Sequence, residues 1–272
     1  MLHLLKYENS TVAYHVFGQG SKILFCLHGY GDSGDSFYFL EKYLGKAYCI
    51  IAPDLPLHGS TKWDKKNAFL PSDLLQWIIL ICKKEGISLS NENKIHLLGY
   101  SMGGRLALSL FSASPNDFEM MALFCPDGLH ENFWHFISTQ TKAGNFLFQK
   151  TMFHPGWFFQ LMEGAYQIKI LNKSVYKFVH HYLDDPQARD LLYKRWTLFR
   201  KFKPSIPLVK KLVLKNKIPL TLVFGNYDRI ILSSRSTYLK KNNPQVKVLI
   251  LNAGHQIMRE KYWPEIARAF YQ

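Results

Sequence analysis

The chain predicts an α/β fold: a mostly parallel sheet covered by helices on both faces and interrupted by one helical insertion. Three observations predict it. Short, continuously apolar runs alternate with helix-patterned segments over residues 12–126, the same alternation returns from residue 218, and the stretch between them holds no strand-like run bounded by turns. At 272 residues, with 47% hydrophobic and 20% charged residues, the chain is long enough for a sizeable core and has an ordinary globular balance. The expected organisation is a core of residues 1–127 and 218–272, with residues 128–217 as a helical insertion.

In order, VAYHVF reads as a short strand, GQGS as a turn, and KILFCLHG as a buried strand. A helix starts within Ser36 to Tyr43, and AYCIIAPDL is the next buried strand. LPSDLLQWIILICKKEG reads as a helix with Ser72 as its N-cap. KIHLLGY is a strand, MGGRLALSLFSAS a helix with apolar residues at 3.6 spacing, and EMMALFCP a strand. Residues 130–182 then hold 13 Phe, Trp or Tyr among 53, about a quarter, against 15% for the whole chain. The alternation resumes with IPLTLVFGNYD, a helix at SSRSTYLKK, the strand VKVLIL and a final helix in REKYWPEIARAFYQ.

Charge and cysteine usage narrow the function classes. The formal charge is +14, and +9 of it falls in residues 127–217. No nucleic-acid motif accompanies that excess and the Lys and Arg are spread among helices, so no nucleic-acid partner is expected. The excess allows an anionic substrate or a weak contact with a membrane surface. No apolar run reaches the ~18 to 20 residues that cross a bilayer. The N-terminal sequence lacks the order of a secretory signal, which makes the expected location cytoplasmic. Cys26, Cys49, Cys82 and Cys125 have no metal-binding spacing and read as free core thiols; no metal or other cofactor is expected.

The chemistry-bearing signals all fall just past predicted strands. Gly99-Tyr100-Ser101-Met102-Gly103 is a G-x-S-x-G sequence between a buried strand and a helix. That setting forces a tight turn, which lifts the Ser101 hydroxyl above the strand end at the positive end of a helix. A serine alcohol is a poor nucleophile at neutral pH; it needs a base, and the base needs a carboxylate that fixes its tautomer. Of eleven histidines, His255 in LNAGH combines a strand-end loop with a downstream position. His3, His15, His58, His96, His130, His135, His154, His180 and His181 do not, and His28 reads as buried support for its loop. Asp228, in FGNYD, is the candidate acid; Asp127, at the end of EMMALFCP, is its rival. An acyl-transfer site also needs two oxyanion donors. Met102 N–H, just after the serine, and Tyr30 N–H, just after His28-Gly29, are the candidates.

HGYG, DLPLHGS, GYSMGG, GNYD and AGH, in this order, resemble the α/β-hydrolase superfamily over residues 12–126 and 218–272. The resemblance implies an α/β-hydrolase fold with an eight-stranded sheet, a Ser101–His255–Asp228 triad, and a lid or cap at the insertion. It also implies a structural role for Asp54 and His58. A serine at the elbow is unlike the epoxide hydrolases and haloalkane dehalogenases, which use aspartate there. GYSMGGR with DLPLHGS is similar also to 2-succinyl-6-hydroxy-2,4-cyclohexadiene-1-carboxylate synthase, in which the arginine four past the serine binds substrate carboxylate. Arg105 stands at that position and is a candidate substrate contact, or else a local ion pair. The long aromatic insertion and Leu57, where that family commonly has glycine, depart from the synthase pattern.

The expected function is hydrolysis of a carboxylic ester or thioester with an apolar acyl or aromatic part, acting on a small-molecule substrate through an acyl-enzyme. The alternatives are a synthase-like lyase using the same triad, and a small-ligand sensor on the same fold.

Overall fold

The computed structural model describes residues 1–64, 68–170, 176, 180 and 183–270, without the side chains of 268–270. His181 lies outside the described residues.

The apolar runs become one eight-stranded sheet: β1 (Leu2–Tyr7), β2 (Ser10–Phe17), β3 (Lys22–Leu27), β4 (Tyr48–Pro53), β5 (Ile95–Tyr100), β6 (Phe118–Phe124), β7 (Leu220–Gly225) and β8 (Val246–Leu251). Their spatial order is β1-β2-β4-β3-β5-β6-β7-β8. β1 pairs antiparallel with β2, and β2 with β4; every later pair is parallel. β5 and β7 are buried at every residue, as strands covered on both faces must be, and this is why they read as mostly apolar runs, broken only by His96 and Thr221. β1 and β8 form the edges, and most of their residues keep some exposure.

The described helices are α1 (Leu40–Leu44), α2 (Pro71–Lys84), α3 (Met102–Ala113), α4 (Phe133–Gln140), α5 (Lys142–Phe153), α6 (Gly156–Gln167), α7 (Pro186–Leu198), α8 (Ile206–Lys215), α9 (Thr237–Lys240) and α10 (Trp263–Phe270). Among the described residues no helix is long and apolar enough to cross a membrane. The cap of α2 differs from the expectation. Ser72 lies inside the helix, Pro71 takes its first position, and the buried Asp73 accepts the Leu70 N–H at 2.9 Å. The other oxygen of Asp73 accepts from Tyr7 Oη at 2.7 Å, so one carboxylate closes the helix start and ties it to β1. The four cysteines are free, three buried and Cys49 half-buried.

The chain forms two compact units, Met1–His130 with Phe202–Gln272, and Glu131–Lys201. The second unit lies within the insertion expected at 128–217, and residues 202–217 group with the sheet unit. The reason is α8: its apolar stripe buries Val209 and Val213, and it packs on α3 and α9 of the sheet unit. The helical unit holds α4 to α7. Three of these helices, α4, α5 and α7, start at side-chain caps, Asn132, Thr141 and Asp185. Buried Arg189 spends its donors on carbonyls, Nε to Met152 at 2.9 Å and a terminal nitrogen to Leu183 and Asp184, which binds α7 to α5. Phe148 packs against Tyr193 and Trp196 across the same two helices.

Candidate active site

Ser101 sits between the end of β5 and the first turn of α3, at φ 49° and ψ −114°. A non-glycine residue in that region carries strain of about 1 to 3 kcal/mol, held here by the surroundings. Ser101 N–H donates to Phe124 O at 2.9 Å, and Ser101 O accepts from Gly104 and Asp127 N–H, each at 2.9 Å. The turn needs glycine at 103 because a Cβ there would lie 1.9 Å from Leu27 O. The start of α3 is thus pressed against the end of β3, and its positive end points toward the serine.

Asp228 follows β7 and His255 follows β8, neighbouring strands that end on the same edge as β5. His255 Nε2 lies 3.0 Å from Ser101 Oγ, and Nδ1 lies 2.7 Å from Asp228 Oδ2. These partners assign the tautomer: Nδ1–H donates to the carboxylate and Nε2 accepts the serine proton. The two loops are laced together by Tyr227 N–H to Ala253 O and Asn226 N–H to Leu251 O, each 2.8 Å. Gly225 permits this closeness, since a Cβ there would be 2.2 Å from Gly254 O.

Asp228 is 4% exposed. Burial pushes its pKa up, but the Ile231 N–H, His255 and the Ile230 N–H outweigh it and hold the carboxyl below its ordinary value. Oδ1 accepts Ile230 and Ile231 N–H at 2.7 and 3.0 Å, leaving Oδ2 for the histidine. Tyr100 closes the other side: its ring centroid is 5.7 Å from that of His255, and its hydroxyl donates to His255 O at 3.3 Å. Burial keeps that phenol protonated by raising its pKa.

Tyr30 follows the His28-Gly29 end of β3, and Met102 opens α3, where helix N–H groups have no intrahelical acceptor. The loop before Tyr30 is anchored by buried His28, whose Nε2 accepts Leu55 N–H at 3.0 Å and whose Nδ1 donates to Gly29 O at 2.8 Å. His58 stacks edge-on against both His28 and Tyr30. Asp54 accepts Gly34 and Ser60 N–H at 2.8 and 2.7 Å and so ties two loops. Leu57, where the synthases commonly have glycine, has φ 63°, a left-handed conformation that glycine adopts freely.

Arg105 and Asp127 meet each other. Arg105 is buried, with Nε 3.4 Å from Asp127 Oδ2, and Asp127 Oδ1 accepts Gly128 N–H at 2.8 Å. The rival acid is thus engaged by a cation one helical turn past the serine. Two residues escaped the sequence reading. Tyr100 was legible only as the variable position of the motif. Cys125 reads as one more core thiol, yet its Sγ, a carboxylate oxygen of Asp228 and a ring nitrogen of His255 all lie within 4.8 Å of one another. Among the described residues these three are the group with spacing that could hold a metal ion.

A family model described as the alpha/beta hydrolase family matches residues 23–269. The uncharacterised hydrolase YugF of Bacillus subtilis is 24% identical over 255 residues, covering 93% of this chain and 89% of that protein. Human monoacylglycerol lipase ABHD6 is 23% identical over 240 residues, 86% of this chain and 70% of the lipase. Among solved structures, a thermophilic esterase from Thermogutta terrifontis superposes with a TM-score of 0.67 at 15% identity, over 100% of this chain and 97% of the esterase. A meta-cleavage product hydrolase from Pseudomonas fluorescens superposes with a TM-score of 0.63 at 17% identity, over 99% of this chain and 97% of its own.

Proposed function

Because the chain belongs to the alpha/beta hydrolase family and is therefore a hydrolase, we propose that it cleaves a carboxylic ester or thioester through a Ser101–His255–Asp228 triad. The observation that carries this reading is the unbroken relay from Ser101 Oγ to His255 at 3.0 Å and from His255 to Asp228 at 2.7 Å. His255 Nε2 takes the serine proton as Oγ attacks the carbonyl carbon. The depressed carboxylate of Asp228 stabilises the imidazolium. Tyr30 and Met102 N–H groups hold the oxyanion. Collapse of the tetrahedral species breaks the bond to the leaving oxygen or sulfur, which His255 protonates. A water deprotonated by His255 then hydrolyses the acyl-enzyme and restores Ser101.

An apolar acyl or aromatic part is supported by the aromatic density of residues 130–182, and agrees with the monoacylglycerol lipase and esterase among the similar proteins. In this reading the helical insertion is the cap of the fold. Arg105 serves as a structural partner of Asp127 and takes no part in the chemical step. Weak contact with an anionic membrane surface fits the basic excess of residues 127–217.

The test is labelling by a fluorophosphonate together with a series of p-nitrophenyl esters of rising chain length. Labelling on Ser101 with ester turnover, both lost in Ser101→Ala, is the expected result. Turnover that survives Ser101→Ala overturns the assignment, and labelling without turnover of any ester or thioester favours the lyase or the sensor.

A further inference from the structure

β6 ends at Phe124, and Cys125 turns the chain while its N–H still donates to Val223 O at 2.7 Å. Its φ is 40°, in the left-handed region where a Cβ is unfavourable and glycine is at ease. A side chain is nevertheless present, fully buried, with Sγ within 4.8 Å of Asp228 and His255. The site it faces has room for one more donor. An ionised carboxylate accepts about four hydrogen bonds. Asp228 receives Ile230 and Ile231 N–H on Oδ1 and His255 on Oδ2. Burial raises the Cys125 pKa, and the neighbouring carboxylate adds to it, outweighing the Gly225 N–H. The group therefore stays S–H, a donor, at neutral pH.

We infer that Cys125 is a positioning residue of the active site, its S–H directed at the fourth acceptor position of the Asp228 carboxylate and holding that carboxylate in line with His255. The inference rests on the triad reading above. It gives the thiol an electrostatic effect as well as a steric one. Each donor on Asp228 draws charge away from the imidazole, so removing the thiol strengthens the carboxylate's hold on the imidazolium and raises the pKa of the base. A hydroxyl in its place, a stronger donor, does the opposite.

The experiment follows the rate of Ser101 phosphonylation by a fluorophosphonate from pH 5 to 9 in the wild type, Cys125→Ala, Cys125→Gly and Cys125→Ser. The other ionisable groups facing His255 are Tyr100 beneath its ring, Asp32 on the loop after β3, and Arg259 beyond it; all three are unchanged in these variants. For Ala and Gly the acid limb is expected to move up by about 0.3 to 0.5 pH unit, with a rate up to about two- to threefold lower on that limb. For Ser the limb moves down. Cys125→Gly suits the positive φ, and its Tm, measured alongside, separates a loss of rate from unfolding. Acid limbs that coincide in all four proteins, or that move the same way for Ala and Ser, overturn the role of Cys125 while leaving a labelled Ser101 in place. A wild type that is not labelled at all removes the triad reading itself, and this one with it.

Discussion

Asp228 and Asp127 leave the ends of neighbouring strands, and their surroundings separate them. Asp228 is clamped by two backbone N–H groups and aimed at His255. Asp127 faces Arg105. Substituting each by asparagine should therefore read differently. Asp228→Asn keeps the size of the side chain but offers the histidine a neutral partner that can hold the wrong tautomer; turnover should fall by about 10⁴-fold with the Tm little changed. Asp127→Asn leaves the buried Arg105 without its carboxylate. It should cost about 1 to 3 kcal/mol of stability while Ser101 labelling stays within about threefold of wild type. Thermal unfolding and labelling rates on the two proteins check both, and equal losses of labelling would refute the assignment of the acid. Sequence position could not choose between these aspartates, because both sit just past apolar runs; the partner of each is set by groups far away in the chain.

At the scale of elements, the site is built by the meeting of α3 with the end of β3. Gly103 is the contact point, with 1.9 Å between its prospective Cβ and Leu27 O. Both groups are backbone, so neither can swing aside. Gly103→Ala should force α3 off the strand end and destabilise the fold by roughly 3 kcal/mol or more, seen as a large fall in Tm or loss of soluble protein. A Tm within a degree of wild type would mean that the elbow is looser than this packing requires. The element boundaries show where local reasoning stops. The start of α2 is closed by Asp73 and Pro71 and not by Ser72, because a carboxylate already held by Tyr7 reaches the Leu70 N–H. Residues 206–215 have a helical pattern like the insertion before them, yet their Val209 and Val213 stripe goes to the sheet unit. Periodicity identifies an apolar stripe but not the surface that covers it.

For the whole molecule, acid sensitivity is set by carboxyls whose native pKa lies below the ordinary value. Asp228 is one and Glu85 another. Burial pushes Glu85 up, but hydrogen bonds from Tyr14 at 2.5 Å and His3 at 2.8 Å outweigh it and bring it below 4.5. A carboxyl depressed in the folded state adds stability that is complete above its unfolded pKa and is lost as pH falls through the native one. Protonation also adds to a net charge that is already +14. The Tm should decline gently below about pH 6.5, where burial keeps His96 neutral in the fold while the unfolded chain takes up the proton, and fall more steeply below about pH 4.5. Glu85→Gln should make that fall shallower; an unchanged slope would exclude Glu85 as a contributor.

What the sequence determined by itself was the α/β class, the strand ends, the strand–turn–helix setting of Ser101 and the order Ser101, Asp228, His255. These follow from local rules: a strand buried on both faces is mostly apolar, and its end is marked by the residues that break the run. Tertiary structure alone decided that Asp127 pairs with Arg105, that residues 202–217 belong with the sheet, and that Tyr100 and Cys125 stand against His255 and Asp228. Each depends on pairing between strands far apart in sequence, β6 and β7 above all, which the helical insertion separates in the chain and the sheet brings side by side. The contact of a thiol with a carboxylate a hundred residues away leaves no periodic trace in either segment, because it is fixed by strand order and register and not by either segment alone.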